Sequence, residues 1–186
     1  VIFSSDNGPE LKQFTGYDTE FFGSRGPLRG FKRDLYEGGI RVPTIARWPG
    51  KIRPRTVSDH VAYFGDFLAT ALDVAGLKTP AGLDSVSFLP TLVGRQDAQP
   101  RHEFLYWEYH GGVSTQAALY QGRWKGFRPH PGASLELYDL RADLGETRDV
   151  AARHPDIVAK LEAYLKSARA PAENWPMRSP RPKKGS

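Results

Sequence analysis

Two adjacent residues near the start of the chain carry donors that suit a hard cation. Asp6 and Asn7 offer a carboxylate and an amide oxygen directly after the apolar, β-prone run Val1-Ile2-Phe3. Open α/β sheets place their ligands just beyond the carboxyl ends of strands, which is where this pair would stand. Asp6-Asn7-Gly8-Pro9 also has the composition of a tight turn, so the pair alone leaves metal ligation and turn formation both open. Calcium takes roughly six to eight oxygen ligands, so most of a coordination sphere would come from elsewhere. Downstream, Lys32 closes the stretch Leu28-Arg29-Gly30-Phe31-Lys32, where a compact ammonium could face a sulfate or phosphate oxygen or simply be solvated.

Further candidates follow along the chain. Glu37-Gly38-Gly39-Ile40-Arg41-Val42-Pro43 reads as a flexible turn before a strand, with Glu37 and Arg41 able to pair. His110 follows the aromatic strand Tyr106-Trp107-Glu108-Tyr109 and precedes Gly111-Gly112, a position from which it could meet a substrate as hydrogen-bond donor or acid. His60, His102, His130 and His154 lie beside Asp, Arg or Pro and read as surface or capping residues. Trp48, Trp107, Trp124 and Tyr106 recur at strand spacing, which favours core over sugar stacking.

The elements that must position these groups are those of a globular chain. Of its 186 residues 39% are hydrophobic and 25% charged, a balance that excludes wholesale disorder. The absence of Cys excludes a disulfide framework, a thiolate zinc site and a Cys nucleophile within this sequence. A net charge of +5 permits anionic ligands, although Arg178, Arg181, Lys183 and Lys184 sit in a Pro-rich tail that reads as a solvated, mobile end. No apolar run approaches the roughly 20 residues of a membrane span, and the first residues lack signal-peptide features, so the chain as given is expected to be soluble. Helix-turn-helix, zinc-finger and aromatic-basic RNA patterns are lacking, so no nucleic-acid partner is expected.

Val1-Ile2-Phe3 is predicted to be a buried strand. Such a strand needs neighbours and covering helices, and this predicts that the chain is the later part of a larger α/β protein. Residues 10–41 read as a long Gly-rich loop and Arg41 to Trp48 as a strand. Asp66 to Gly76 is predicted as a helix capped by Asp66, with Phe67, Leu68, Ala71, Leu72 and Ala75 on its buried face, and Ser87 to Val93 as a shorter turn of helix. Four strand-like runs follow: Phe104–Trp107, Ala117–Tyr120, Trp124–Phe127 and Leu135–Tyr138. A hairpin turn at Gln121-Gly122-Arg123 would join the second run to the third. From Pro155 a helix is expected to pack on this antiparallel sheet through Ile157, Val158, Leu161, Tyr164, Leu165 and Ala168. The expected organisation is an α/β remnant at 1–100, a sheet subdomain at 101–170 and a flexible basic tail at 171–186.

Ser5-Asp6-Asn7-Gly8-Pro9, Pro27-Leu28-Arg29-Gly30-Phe31-Lys32, Glu37 to Pro43 and Trp48-Pro49-Gly50 occur in order within fifty residues. This series closely resembles the second half of the sulfatase family. The resemblance continues through Asp66 and its helix, Gly122-Arg123-Trp124-Lys125, Glu136-Leu137-Tyr138-Asp139-Leu140, Asp143, Glu146 and the last helix, to about residue 170. It implies the C-terminal part of an alkaline-phosphatase-like α/β fold, ending in a small four-stranded antiparallel sheet with a packed C-terminal helix.

The resemblance further implies that Asp6 and Asn7 are two calcium ligands and that Lys32 is the sulfate-binding, catalytic lysine. Glu37 to Pro43 would shape the pocket wall, and His110 is a tentative substrate contact. Sulfatases attack sulfur with the hydrated aldehyde of a formylglycine made within a Cys/Ser-x-Pro-x-Arg segment. No such segment occurs in this sequence, and Ser179-Pro180-Arg181 lacks the spacing. The formylglycine and the remaining calcium ligands are therefore expected on a missing N-terminal sulfatase segment, and the chain alone is expected to be inactive. The implied substrate is a sulfated small molecule or glycan, and the implied compartment is periplasmic, secreted or lysosome-like. A phosphonate or phosphate ester hydrolase of the same superfamily, or a non-enzymatic polyanion-binding module, are the alternatives.

Overall fold

The computed structural model of the chain describes residues 1–181. Contacts divide it into two units: Val1–Ser4 with Pro43–Glu103, and Ser5–Val42 with the sequence from Phe104 onward. The Gly-rich segment Ser5–Val42 groups with the later sheet rather than with residues 43–103.

In the first unit, β1 (Ile2–Ser4) pairs antiparallel with β2 (Thr44–Ala46), Ile2 opposite Ala46 and Ser4 opposite Thr44. The expectation of a buried strand is corrected here. Among the described residues β1 has this one strand neighbour, and Phe3 and Ile45 both stay more than half exposed. The helix Asp66–Val74 forms where predicted and stops at Gly76, whose φ of +71° only glycine adopts freely. Its orientation is the reverse of the expected one. Ala69 and Thr70 are buried, whereas Phe67, Leu68, Ala71 and Ala75 are exposed.

Polar contacts explain that orientation. Asp66 is fully buried and does not cap its own helix; it accepts hydrogen bonds from the backbone N–H of Tyr63 at 3.0 Å and of Val86 at 2.8 Å. Its carboxylate also meets His102 Nε2 at 2.8 and 2.9 Å, so His102 is half of a buried pair rather than a surface residue. Thr70 donates to Asp66 O and accepts from Phe88 N, which binds the buried face to the segment before the short helix Leu89–Leu92.

The second unit is built on a four-stranded antiparallel meander, β3 (Phe104–His110), β4 (Ser114–Tyr120), β5 (Trp124–Arg128) and β6 (Glu136–Asp139), as the alternation predicts. Gln121 and Gly122 take positive φ values of 51° and 64°, the twist that a tight hairpin connection needs. One sheet face, through Ala118, Tyr120 and Leu137, packs on Leu161 and Leu165 of the C-terminal helix Pro155–Ser167. The period of two sends Lys125, Phe127 and Tyr138 to the opposite face, where Tyr36 meets the Phe127 ring at 4.2 Å. The sheet is thus covered on both faces.

The tail expected to be mobile from 171 is tied down through Arg178. Its backbone N–H donates to Ser114 Oγ at 2.8 Å and its carbonyl accepts from Ser114 N at 2.9 Å. Lys183 and Lys184 lie outside the described residues. No helix among the described residues is long and apolar enough to cross a membrane.

Candidate active-site segment

Asp6, Asn7 and Lys32 all fall in the second unit, on two loops joined main chain to main chain. Gly8 N donates to Gly39 O at 2.9 Å, and Lys32 N donates to Pro9 O at 2.8 Å. A third bond, Gly38 N to Arg29 O at 2.6 Å, closes the lysine loop on the short helix Glu37–Ile40. The glycines permit this approach. A Cβ on Gly8 would lie 1.8 Å from Gly38 O, one on Gly38 2.3 Å from Gly30 O, and one on Gly39 2.1 Å from Asp34 O.

That packing gives the Asp-Asn-Gly and Glu-Gly-Gly motifs a physical reason. Gly8→Ala cannot be relieved by a rotamer change, because the obstructing atom is backbone. Overpacking of this kind is expected to destabilise the protein by about 1–3 kcal/mol, measurable as a lower denaturation midpoint. An unchanged midpoint would show that the loops separate easily.

Asp6 is exposed and Asn7 half-buried, and neither side chain has a hydrogen-bond or ion-pair partner among the described residues. Both donors are therefore available to a cation. No group of three or more His, Cys, Asp or Glu able to hold a metal occurs among the described residues. Two oxygen donors are fewer than the roughly six to eight ligands that calcium takes. Lys32 is likewise exposed, while its backbone is fixed. Next to it, Arg33 holds a φ of 81° and makes a two-point ion pair with Glu10 at 2.7 and 2.8 Å. That pair fastens the lysine loop to the segment after Pro9 and offsets the strain of a left-handed non-glycine residue.

His110 stands apart from this arrangement. It is the last residue of β3, with Nδ1 at 2.8 Å from Ser114 Oγ and Nε2 at 3.1 Å from Glu108 Oε1. Nδ1 is the hydrogen-bonded nitrogen; Nε2 is buried and, although within ion-pair distance of Glu108, makes no hydrogen bond among the described residues.

Behind the loops lies a set of buried charges that the sequence reading missed. Lys125 has no exposed surface, and its Nζ lies 2.8 Å from Glu37 Oε1 and 2.9 Å from Glu146 Oε1. Arg41 Nε reaches Glu37 Oε2 at 2.5 Å, the pairing expected from their spacing. Burial pushes the Glu37 carboxyl up, but Lys125 and Arg41 outweigh it and hold it below the usual range. At Glu146 burial prevails over Lys125 and the carboxyl is raised. Strand alternation held the missed signal: Lys125 shares its face with Phe127, so a buried lysine there demands a carboxylate partner.

Tyrosines extend the network. Tyr36 and Tyr138 donate to Glu136 Oε2 at 2.8 and 2.6 Å, and Arg29 lies over the Tyr36 ring at 3.8 Å while donating to Tyr138 OH and Glu146 O. An open cleft of about 470 Å³ borders Arg25, Arg29 and Thr147, with both arginines held by protein acceptors. Burial and carboxylate neighbours raise Tyr36 and Tyr138, and burial pushes Tyr106 in β3 up to about 12. A phenol raised from its ordinary value of about 10 contributes stability that is complete below pH 10 and lost as pH rises through the folded value. For Tyr106 the expected window is pH 10.0 to about 12, followed by tyrosinate absorbance together with denaturation. Free titration near pH 10 without loss of stability would contradict the buried hydrogen bonds.

With this geometry in view, comparison with known proteins decides the family. Residues 29–171 match the family described as N-sulphoglucosamine sulphohydrolase, C-terminal. The chain belongs to the sulfatase family. It is 32% identical to an N-acetylgalactosamine-6-O-sulfatase of Bacteroides thetaiotaomicron, covering 91% of this chain and 36% of that protein. It is 31% identical to human arylsulfatase A, covering 87% and 36%. A solved protein from work on the metabolism of multiple glycosaminoglycans by Bacteroides thetaiotaomicron superposes with a TM-score of 0.71 at 29% identity, covering 90% of this chain and 38% of that one. This sulfatase chain therefore spans about a third of the length of the curated relatives it matches. Its four-stranded sheet and last helix are the C-terminal part of the alkaline-phosphatase-like sulfatase fold.

Proposed function

We propose that the complete protein is a calcium-dependent sulfatase acting on sulfate esters, of carbohydrates by preference, and that this chain contributes Asp6, Asn7 and Lys32 to its site. The observation that carries the reading is the backbone union of the two loops: Pro9 O accepts from Lys32 N, and Gly39 O accepts from Gly8 N. Hard oxygens and an ammonium are thereby presented from one scaffold. The relatives named as sulfatases of N-acetylgalactosamine favour a sulfated sugar as substrate.

Each residue has a distinct task. Asp6 and Asn7 would hold the cation through their side-chain oxygens. Calcium, when bound, supplies positive charge that offsets the negative sulfuryl group. Lys32 would donate hydrogen bonds to sulfate oxygens and strengthen its hold as negative charge grows toward the leaving group. The nucleophile is assigned to formylglycine outside these residues, since the 186 residues contain no Cys/Ser-x-Pro-x-Arg segment. The chain by itself is accordingly expected not to turn over sulfate esters.

The test is a comparison of the complete protein with its Asp6→Ala variant on an aryl sulfate and an aryl phosphate. The expected result is preferential sulfate hydrolysis that chelation abolishes, with Asp6→Ala needing far more calcium for the same rate. Preferential phosphate hydrolysis would favour the phosphoryl-transfer relative. Polyanion binding that survives chelation and fades with salt, without turnover, would favour a binding module.

A further inference from the structure

Lys125 is an unusual choice for the interior of a sheet, because a buried ion pair is often no more stabilising than apolar residues of similar volume. Its geometry suggests what the charge does instead. The ammonium lies between two carboxylates from segments far apart in sequence, Glu37 at 2.8 Å and Glu146 at 2.9 Å. Glu146 Oε2 also accepts Glu37 N at 2.6 Å, so both the side chain and the backbone at the start of the Glu37–Ile40 helix are held. Glu146 itself has a φ of 52°, a conformation better suited to glycine or asparagine. A strained glutamate there makes sense where its carboxylate is needed.

The far end of that short helix is the support of the donor loop. Gly39 O accepts Gly8 N at 2.9 Å, and the donor loop meets the helix backbone so closely that a Cβ on Gly8 would lie 1.8 Å from Gly38 O. A displacement of Glu37 therefore reaches Gly8 with no side chain between them to absorb it. Resting on the reading of Asp6 and Asn7 as calcium ligands, we infer that Lys125, acting through Glu37 and Glu146, is a positioning residue for the calcium site. It touches neither cation nor substrate.

A purely structural lysine would alter stability and leave the calcium affinity of the folded protein alone, which separates the two roles. The experiment is calcium titration calorimetry on the complete protein and on its Lys125→Met, Glu37→Gln and Asp6→Ala variants, at a temperature where circular dichroism shows each to be folded. Lys125→Met and Glu37→Gln are expected to weaken calcium binding by roughly 10- to 100-fold, the usual effect of removing a supporting partner behind a metal ligand. Wild-type affinity in both would overturn the proposal, provided Asp6→Ala lowers affinity. Wild-type affinity in Asp6→Ala would overturn the ligand reading itself, and the positioning role with it. Should Lys125→Met fail to fold, Glu37→Gln, which keeps the side-chain shape, decides alone: weakened affinity supports the role and unchanged affinity ends it.

Discussion

Exchanging Lys32 for alanine in the complete protein is expected to lower kcat for a sulfate ester by about 10²- to 10³-fold, with a smaller change in KM. The expectation follows from removing one preorganised electrostatic partner of a charge that grows in the transition state, a loss of roughly 2.7–4 kcal/mol. The fold should be unaffected. Lys32 is exposed, and the bond that anchors its loop uses the backbone N–H, which alanine retains. Lys32→Arg should recover only part of the rate, because a planar guanidinium does not reproduce a compact ammonium. Steady-state kinetics would check this, and a kcat equal to wild type would remove Lys32 from the chemistry.

Lys125→Met is expected to have the largest effect on stability, about 3–5 kcal/mol, because it leaves two buried carboxylates without their shared cation. Arg41 would still compensate Glu37 in part, whereas Glu146, with no exposed surface, pairs with no second cation among the described residues. The loss should therefore shrink when Glu146→Gln is added, since the neutral amide no longer needs a counterion. Chemical denaturation of the single and double variants checks both statements. A double variant no more stable than Lys125→Met would show that the cost arises from packing rather than from charge.

The sequence was most legible where the fold depends on local periodicity. The alternation from Phe104 to Tyr138 and the apolar stripe from Ile157 to Leu165 both appear as expected, since a sheet face and a helix face must bury the same side chains whatever lies beyond them. The Glu37–Arg41 pair was equally readable from its spacing. Helix Asp66–Val74 was right in existence and wrong in orientation, because Asp66 and Thr70 bury themselves against Val86, Phe88 and His102, partners that no local period reveals. Lys125 is the same lesson in the site: its carboxylates come from positions 37 and 146, and only the folded topology joins them. The glycine motifs were recognisable as a series, yet their function as contact points between backbones became visible only from the distances at Gly8, Gly38 and Gly39.

The main-chain union of Gly8 with Gly39 also bears on how this site can change. Because no rotamer takes part in the joint, the identities of residues 6 and 7 are uncoupled from the framework that carries them. Donor chemistry could then be re-tuned, toward a smaller or softer ion for instance, by point changes at those two positions while the glycines stay fixed.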